Sequence, residues 1–169
     1  MNSANVTRQV LHGSLGRAVH ILLVEDSPSD VAMTLAALRE GHIANDMYVA
    51  NDGEEALDYL FRRGEFRDAR RPDLILLDLN LPKKDGRQVL AEIKADPSLR
   101  RIPVIVLTTS AADQDVAQAY DRHANAYVRK PVGYTALLDV VRSIEHFWVG
   151  AVQLPPREPA EALIGGVAA

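Results

Sequence analysis

Glu25 and Asp26, Asp78, Thr108 and Lys130 interrupt an otherwise aliphatic pattern, and each does so at or just past the end of a short apolar run. Three carboxylates brought close together repel one another, and burying them without compensation costs several kcal/mol each. A hard divalent cation relieves that repulsion, and an oxygen-only ligand set suits Mg²⁺. The ammonium of Lys130 offers a point charge to a phosphoryl oxygen. The Thr108 hydroxyl, at a strand end, is placed to donate to the same kind of anion.

Each of these residues also has a plainer reading. Asp26-Ser-Pro-Ser-Asp30 is a good capping and turn cluster for a following helix. Lys130-Pro131 can be a solvated loop, Thr108 a β-branched strand residue, and Asn80 a turn former. Asp78 resists such a reading. It lies within Leu74-Ile-Leu-Leu-Asp-Leu-Asn-Leu-Pro82, where an ionised side chain has no local partner and charge is rarely buried.

The elements that must position these groups are legible as alternating runs. Apolar stretches at His20–Val24, Met47–Ala50, Leu74–Leu79, Val104–Leu107 and Ala126–Val128 read as strands. Two of them are aliphatic on consecutive positions, as expected of a parallel sheet covered on both faces. Helical spacing links Val31, Leu35 and Leu38, with Gly41 near a C-cap position. Further stripes are Leu57, Leu60 and Phe61; Val89, Leu90 and Ile93; a weaker Val116 and Tyr120; and Tyr134, Leu137, Leu138, Val141 and Ile144. Five β-α units predict right-handed crossovers and a doubly wound α/β sheet. In such a sheet the carboxyl ends of the strands form the ligand crevice. Five polar residues from four strands then converge on one edge.

Composition narrows the classes. The chain has 169 residues, 47% of them apolar and 25% charged, which suits one soluble globular domain with tails. The net charge of −4 argues against a general nucleic-acid binder, so no DNA contact is expected. With no cysteine, thiolate metal sites and cysteine nucleophiles are excluded. No run approaches a membrane span and no signal peptide is recognisable, so a cytoplasmic location is expected. Residues 1–18 read as a flexible tail and 19–149 as the folded domain. Residues 150–169 read as an extension too short for an output domain.

Val24-Glu25-Asp26, Leu77-Asp78-Leu-Asn-Leu-Pro82 with Asp85-Gly86, Val106-Leu-Thr108 and Tyr127-Val-Arg-Lys130-Pro131 together resemble the receiver domain of bacterial two-component response regulators. The resemblance covers roughly residues 19–146, and Glu25 stands where many receivers carry aspartate. It implies a flavodoxin-like, five-stranded sheet of order 2-1-3-4-5 with five helices. It further implies that Asp78 is a phosphoacceptor served by a sensor histidine kinase. Mg²⁺ (or Mn²⁺) would be held by Asp26 and Asp78, by Glu25 through water, and by the backbone carbonyl of Asn80. Lys130 would pair with the phosphoryl oxygen, Thr108 would follow it as switch hydroxyl, and Tyr127 would turn inward with it. Phosphoryl transfer of this kind needs charge neutralisation and in-line positioning more than covalent machinery.

A narrower likeness joins Asp78–Gly86, Thr108-Thr-Ser110 and Ile144-Glu-His-Phe-Trp148 to stand-alone regulators paired with bacterial phytochromes. The expectation is therefore a phosphorylation-controlled binding module, not an enzyme. The competing enzyme is a phosphatase of the haloacid dehalogenase type, which needs a second aspartate where this chain has Asn80. A receiver-like scaffold that no longer accepts phosphate is the other competitor. Asn80 and Ser110 are expected to flank the approach of hydrolytic water. A homodimer is expected through the last helix and its continuation, with Tyr134, Leu138, Phe147 and Trp148 at the contact.

Overall fold

A computed structural model of the chain describes residues 16–41 and 44–157. The expected tail residues 1–15 and the last part of the extension, 158–169, lie outside the described residues. Five strands, β1 (Val19–Val24), β2 (Asn45–Ala50), β3 (Leu74–Leu77), β4 (Val104–Thr108) and β5 (Ala126–Arg129), form one parallel sheet of order β2-β1-β3-β4-β5. Five helices alternate with them: α1 (Pro28–Glu40), α2 (Gly53–Leu60), α3 (Gly86–Ala95), α4 (Asp113–Asp121) and α5 (Tyr134–Ile144). A π-helical segment, Glu145–Ala151, continues α5.

The two-residue period of a strand divides the core in two. Leu22, Val24, Ile75, Leu77, Val104 and Val106 face Leu57, Leu60, Val89, Leu90 and Ile93 of α2 and α3. Ile21, Leu23, Leu74, Leu76 and Ile105 face Leu38, Leu137, Val141 and Ile144 of α1 and α5. β1, β3 and β4 are buried along their whole length, whereas the edge strands β2 and β5 are only partly covered. Each fully buried aliphatic side chain contributes about 1.5–3 kcal/mol relative to exposure.

Packing explains one expectation and corrects two. Gly41 caps the end of α1 as expected, its N–H donating to the Ala37 carbonyl, with φ −62° rather than a left-handed conformation. A Cβ there would lie 2.0 Å from a carboxylate oxygen of the buried Glu145, so close packing, not conformation, calls for glycine. α4 meets the core through Ala119, and Tyr120 is exposed. In α5, Leu138 is buried against the sheet and cannot belong to a contact surface, whereas Tyr134 is exposed. Beyond α5 the chain keeps packing: Val149 and Leu154 are buried, and Arg157 reaches Asp73.

Candidate functional site

The sheet register assembles the site. Val24 pairs with Leu77, so Glu25 and Asp78 leave neighbouring strands side by side, and the Asp78 N–H donates to the Val24 carbonyl at 3.0 Å. Leu77 pairs with Val106, which places Thr108 at the next strand end, and the Lys130 N–H donates to the Thr108 carbonyl at 2.7 Å. At the helix end of the crevice Ser27 caps α1 by accepting from Asp30 N–H. Asp85 caps α3, accepting from Arg87 N–H at 2.8 Å while Gln88 accepts from Asp85 N–H. Gly86 follows that cap. A Cβ on it would lie 2.2 Å from the Asp78 carbonyl oxygen, so only glycine lets α3 start this close to the end of β3.

Lys130 is the hub. Its buried ammonium donates to Asp78 Oδ2 at 2.8 Å and Asp30 Oδ2 at 2.9 Å, and it also pairs with Glu25 Oε2. Burial alone would lower the lysine pKa; Asp78, Glu25 and Asp30 outweigh it and hold the ammonium above its ordinary value. Glu25 moves the other way. Burial, reinforced by the Asp78 charge, pushes its carboxyl up to about 7 against the pull of Lys130 and the Ser27 N–H.

Glu25, Asp26 and Asp78 each place a carboxylate oxygen within 4.8 Å of the others; Glu25 and Asp78 are buried and Asp26 is exposed. A single ammonium, that of Lys130, pairs with two of these three carboxylates, Glu25 and Asp78. The carboxylate donor set is hard, oxygen-only and anionic, which fits Mg²⁺ or Mn²⁺.

The other expected residues fall around this centre. Asn80 donates its N–H to Asp78 Oδ1 at 3.1 Å, which fixes the carboxylate from the side opposite Lys130. Thr108 is fully buried, and its Oγ1 lies 3.5 Å from the Ser110 N–H. Tyr127 is half-buried and donates its hydroxyl to the Ser110 carbonyl at 3.0 Å. Ser110 does not turn its hydroxyl to Asp78; it donates to Asp115 Oδ2. Asp30 is a site residue that the sequence hides, because its position in the first turn of α1 reads as helix capping. Tyr134, Phe147 and Trp148 lie on α5 and its π-helical continuation, apart from this crevice.

A parallel sheet of this order, with an acid cluster and one lysine gathered at its carboxyl edge, defines a class of phosphorylatable α/β signalling domain. The chain belongs to the response regulator receiver domain family, whose model matches residues 21–142. Among its relatives is response regulator Rcp1 of Synechocystis, 48% identical over 135 residues that span 80% of this chain and 92% of that protein. The Mn²⁺-bound form of Rcp1 superposes with a TM-score of 0.80 at 47% identity, covering 82% of this chain and 99% of that one. The phosphorylated cyanobacterial phytochrome response regulator RcpA gives 0.81 at 47% identity, with coverage of 83% and 100%. The bacteriophytochrome response regulator AtBRR gives 0.65 at 41%, with coverage of 81% and 99%. The protein is thus a receiver-domain response regulator, a two-component signalling protein whose homologues include phytochrome response regulators. Among the described residues no helix is long and apolar enough to cross a membrane.

Proposed function

We propose that Asp78 accepts a phosphoryl group from a phosphohistidine on a sensor histidine kinase of the bacteriophytochrome type, and that Mg²⁺ is the metal involved. The observation that carries this reading is the convergence of Lys130 on Asp78, Glu25 and Asp30 beside the three-carboxylate cluster. An Asp78 carboxylate oxygen attacks the phosphorus in line; the P–N bond breaks, and the imidazole nitrogen keeps the bonding pair. The product is an acyl phosphate whose new oxygens lie within reach of the Lys130 ammonium once that ammonium leaves Asp78. Glu25, Asp26, Asp78 and the Asn80 carbonyl would hold the cation, which when bound neutralises charge on the transferred group. Thr108 then turns its hydroxyl to the phosphoryl oxygen, and Tyr127 follows as the loop between them moves.

On this reading the chain performs only its own phosphorylation and dephosphorylation, within a receiver unit at 19–149, and acts through protein contacts beside a cytoplasmic kinase. The Phe147 ring is 56% exposed and packs edge-on to Trp148 at 5.7 Å. It borders an apolar groove of about 340 Å³ formed with Val128, Val140 and Ile144. This patch supports a two-fold homodimer through Tyr134, Phe147 and Trp148. Trp148 is itself partly packed on the core, so Phe147 carries more of the contact. Incubation with Mg²⁺ and acetyl phosphate tests the phosphoacceptor: a single phosphoryl adduct mapping to Asp78 supports it, and multiple turnover without an adduct points to a phosphatase.

A further inference from the structure

We propose that Arg87 is a positioning residue for the phosphorylation switch, holding the β4–α4 loop in its resting place through Asp115 and Ser110. The inference rests on Asp78 being the phosphoacceptor and concerns what opposes its consequences. Arg87, in the first turn of α3, spans two helices. Its Nη1 donates to Asp85 Oδ2 at 3.0 Å, and its Nε donates to Asp115 Oδ1 at 3.1 Å, with Nη2 2.8 Å from the same oxygen. Asp115 belongs to the first turn of α4, and its second oxygen accepts from the Ser110 hydroxyl. Ser110, the third residue of Thr108-Thr-Ser110, is therefore held at three points. Its side chain is tied to Asp115, its carbonyl accepts from the Tyr127 hydroxyl, and its N–H faces Thr108 Oγ1.

The path runs from the cap of α3, which adjoins the Asp78 carbonyl, to the residue that follows Thr108 by two. Thr108 Oγ1 accepts from the Ser110 N–H, so its own proton is free for a phosphoryl oxygen, and any movement of Thr108 toward Asp78 draws on the loop that carries Ser110. Ser110 resists that shift as long as Asp115 is anchored. Both side chains of the Arg87–Asp115 pair are mostly covered, 26% and 18% exposed, so water screens the pair only in part. The Ser110 hydroxyl and the Arg87 guanidinium together hold the Asp115 carboxyl below its usual range, as a tie to an ionised group should. The tie thus favours the resting form over the switched one, and its removal shifts the population toward the form that accepts phosphate.

The test measures phosphorylation of Asp78 by acetyl phosphate with Mg²⁺ in the wild type and in Arg87→Ala, Asp115→Asn and Ser110→Ala. Each cut in the tie should raise the rate by about two- to fivefold, the range of a partly exposed ion pair. Arg87→Lys, which keeps the charge and loses the fork, should fall between. In the unphosphorylated variants the amide NMR signals of Thr109 and Ser110 should move toward their positions in the phosphorylated wild type. A purely structural role would lower both the rate and the melting temperature and would not move those signals in that direction. Three variants attack the tie from different ends, so misfolding of one leaves the others to decide. Rates at or below wild type with unmoved amides overturn the inference while leaving the phosphoacceptor assignment intact. A wild type that takes no phosphoryl group on Asp78 overturns both.

Discussion

At the scale of single residues, the site is a contest between burial and charge. Lys130 and Glu25 are both buried, yet burial wins at Glu25 and loses at Lys130, because one ammonium faces three carboxylates while each carboxylate shares that single ammonium. The metal-free site therefore carries surplus negative charge. Asp26→Ala should weaken divalent-cation binding and abolish phosphorylation of Asp78, yet raise the metal-free melting temperature by relieving like-charge repulsion. Calorimetry with and without Mg²⁺ checks both halves. The raised Glu25 carboxyl, about 7 against 4.5 for the free group, gives a signed pH dependence. Between those values the folded protein holds a proton that the unfolded chain releases, so metal-free stability should fall as pH rises through this window. Cation affinity should rise over the same window, because protonated Glu25 cannot serve as a ligand. Glu25→Gln should flatten the stability trend, and a wild-type metal-free melting temperature unchanged from about pH 5 to about pH 7 would contradict it.

At the scale of elements, close approach of helix starts to strand ends sets the geometry. Gly86→Ala would press a Cβ onto the Asp78 carbonyl, so it should destabilise the fold by about 1–3 kcal/mol and slow phosphorylation, since the phosphoacceptor loop must shift to admit it. Urea titration and adduct formation read the two effects. The order of elements was legible in the sequence because the central strands are apolar on both faces, and Glu25, Asp26, Asp78, Thr108 and Lys130 stood out as polar stops at their ends. The edges were less legible. β2 begins at Asn45, two residues before its apolar run, because an edge strand tolerates Asn45 and Asp46 where a central one would not. Asp30 was hidden because a carboxylate in a first helical turn has a sufficient local explanation. Gly41 caps α1 as its position indicated, but nothing in the sequence announces that Glu145, more than a hundred residues later, packs against it. The Arg87–Asp115 tie is equally long-range, and its partners are common surface residue types.

At the scale of the whole molecule, the amino-terminal end of the sheet is closed by one carboxylate. Asp73, fully buried, accepts paired hydrogen bonds from Arg17 (2.8 and 2.8 Å) and from Arg157 (3.0 and 2.7 Å), and another from the His20 N–H. Chain segments on both sides of the five-stranded core thus meet on a single group. Burial alone would raise its pKa; the two guanidiniums and the His20 N–H hold it far below the carboxylate range. Its stabilisation is present above the ordinary aspartate value of about 4 and is lost as pH falls below it. Asp73→Asn should cost about 1–3 kcal/mol near neutral pH, the lower figures reflecting the exposure of Arg17. In urea, the variant's deficit should shrink toward about pH 3, and a deficit independent of pH would contradict the clamp. The proposed homodimer belongs to this scale too. Light scattering should show a pair that the Phe147→Ala, Trp148→Ala double variant dissociates, whereas a monomeric wild type at tens of micromolar would contradict the contact.

The Lys130-centred acid cluster is proposed to make Asp78 a metal-dependent phosphoacceptor. Intact-mass measurement after incubation with acetyl phosphate, with Mg²⁺ or with a chelator, tests it most directly. One added phosphoryl group is expected in the wild type with Mg²⁺, and none with chelator, in Asp78→Asn or in Asp26→Ala. An adduct that persists in Asp78→Asn, or that forms equally well without the metal, would contradict it.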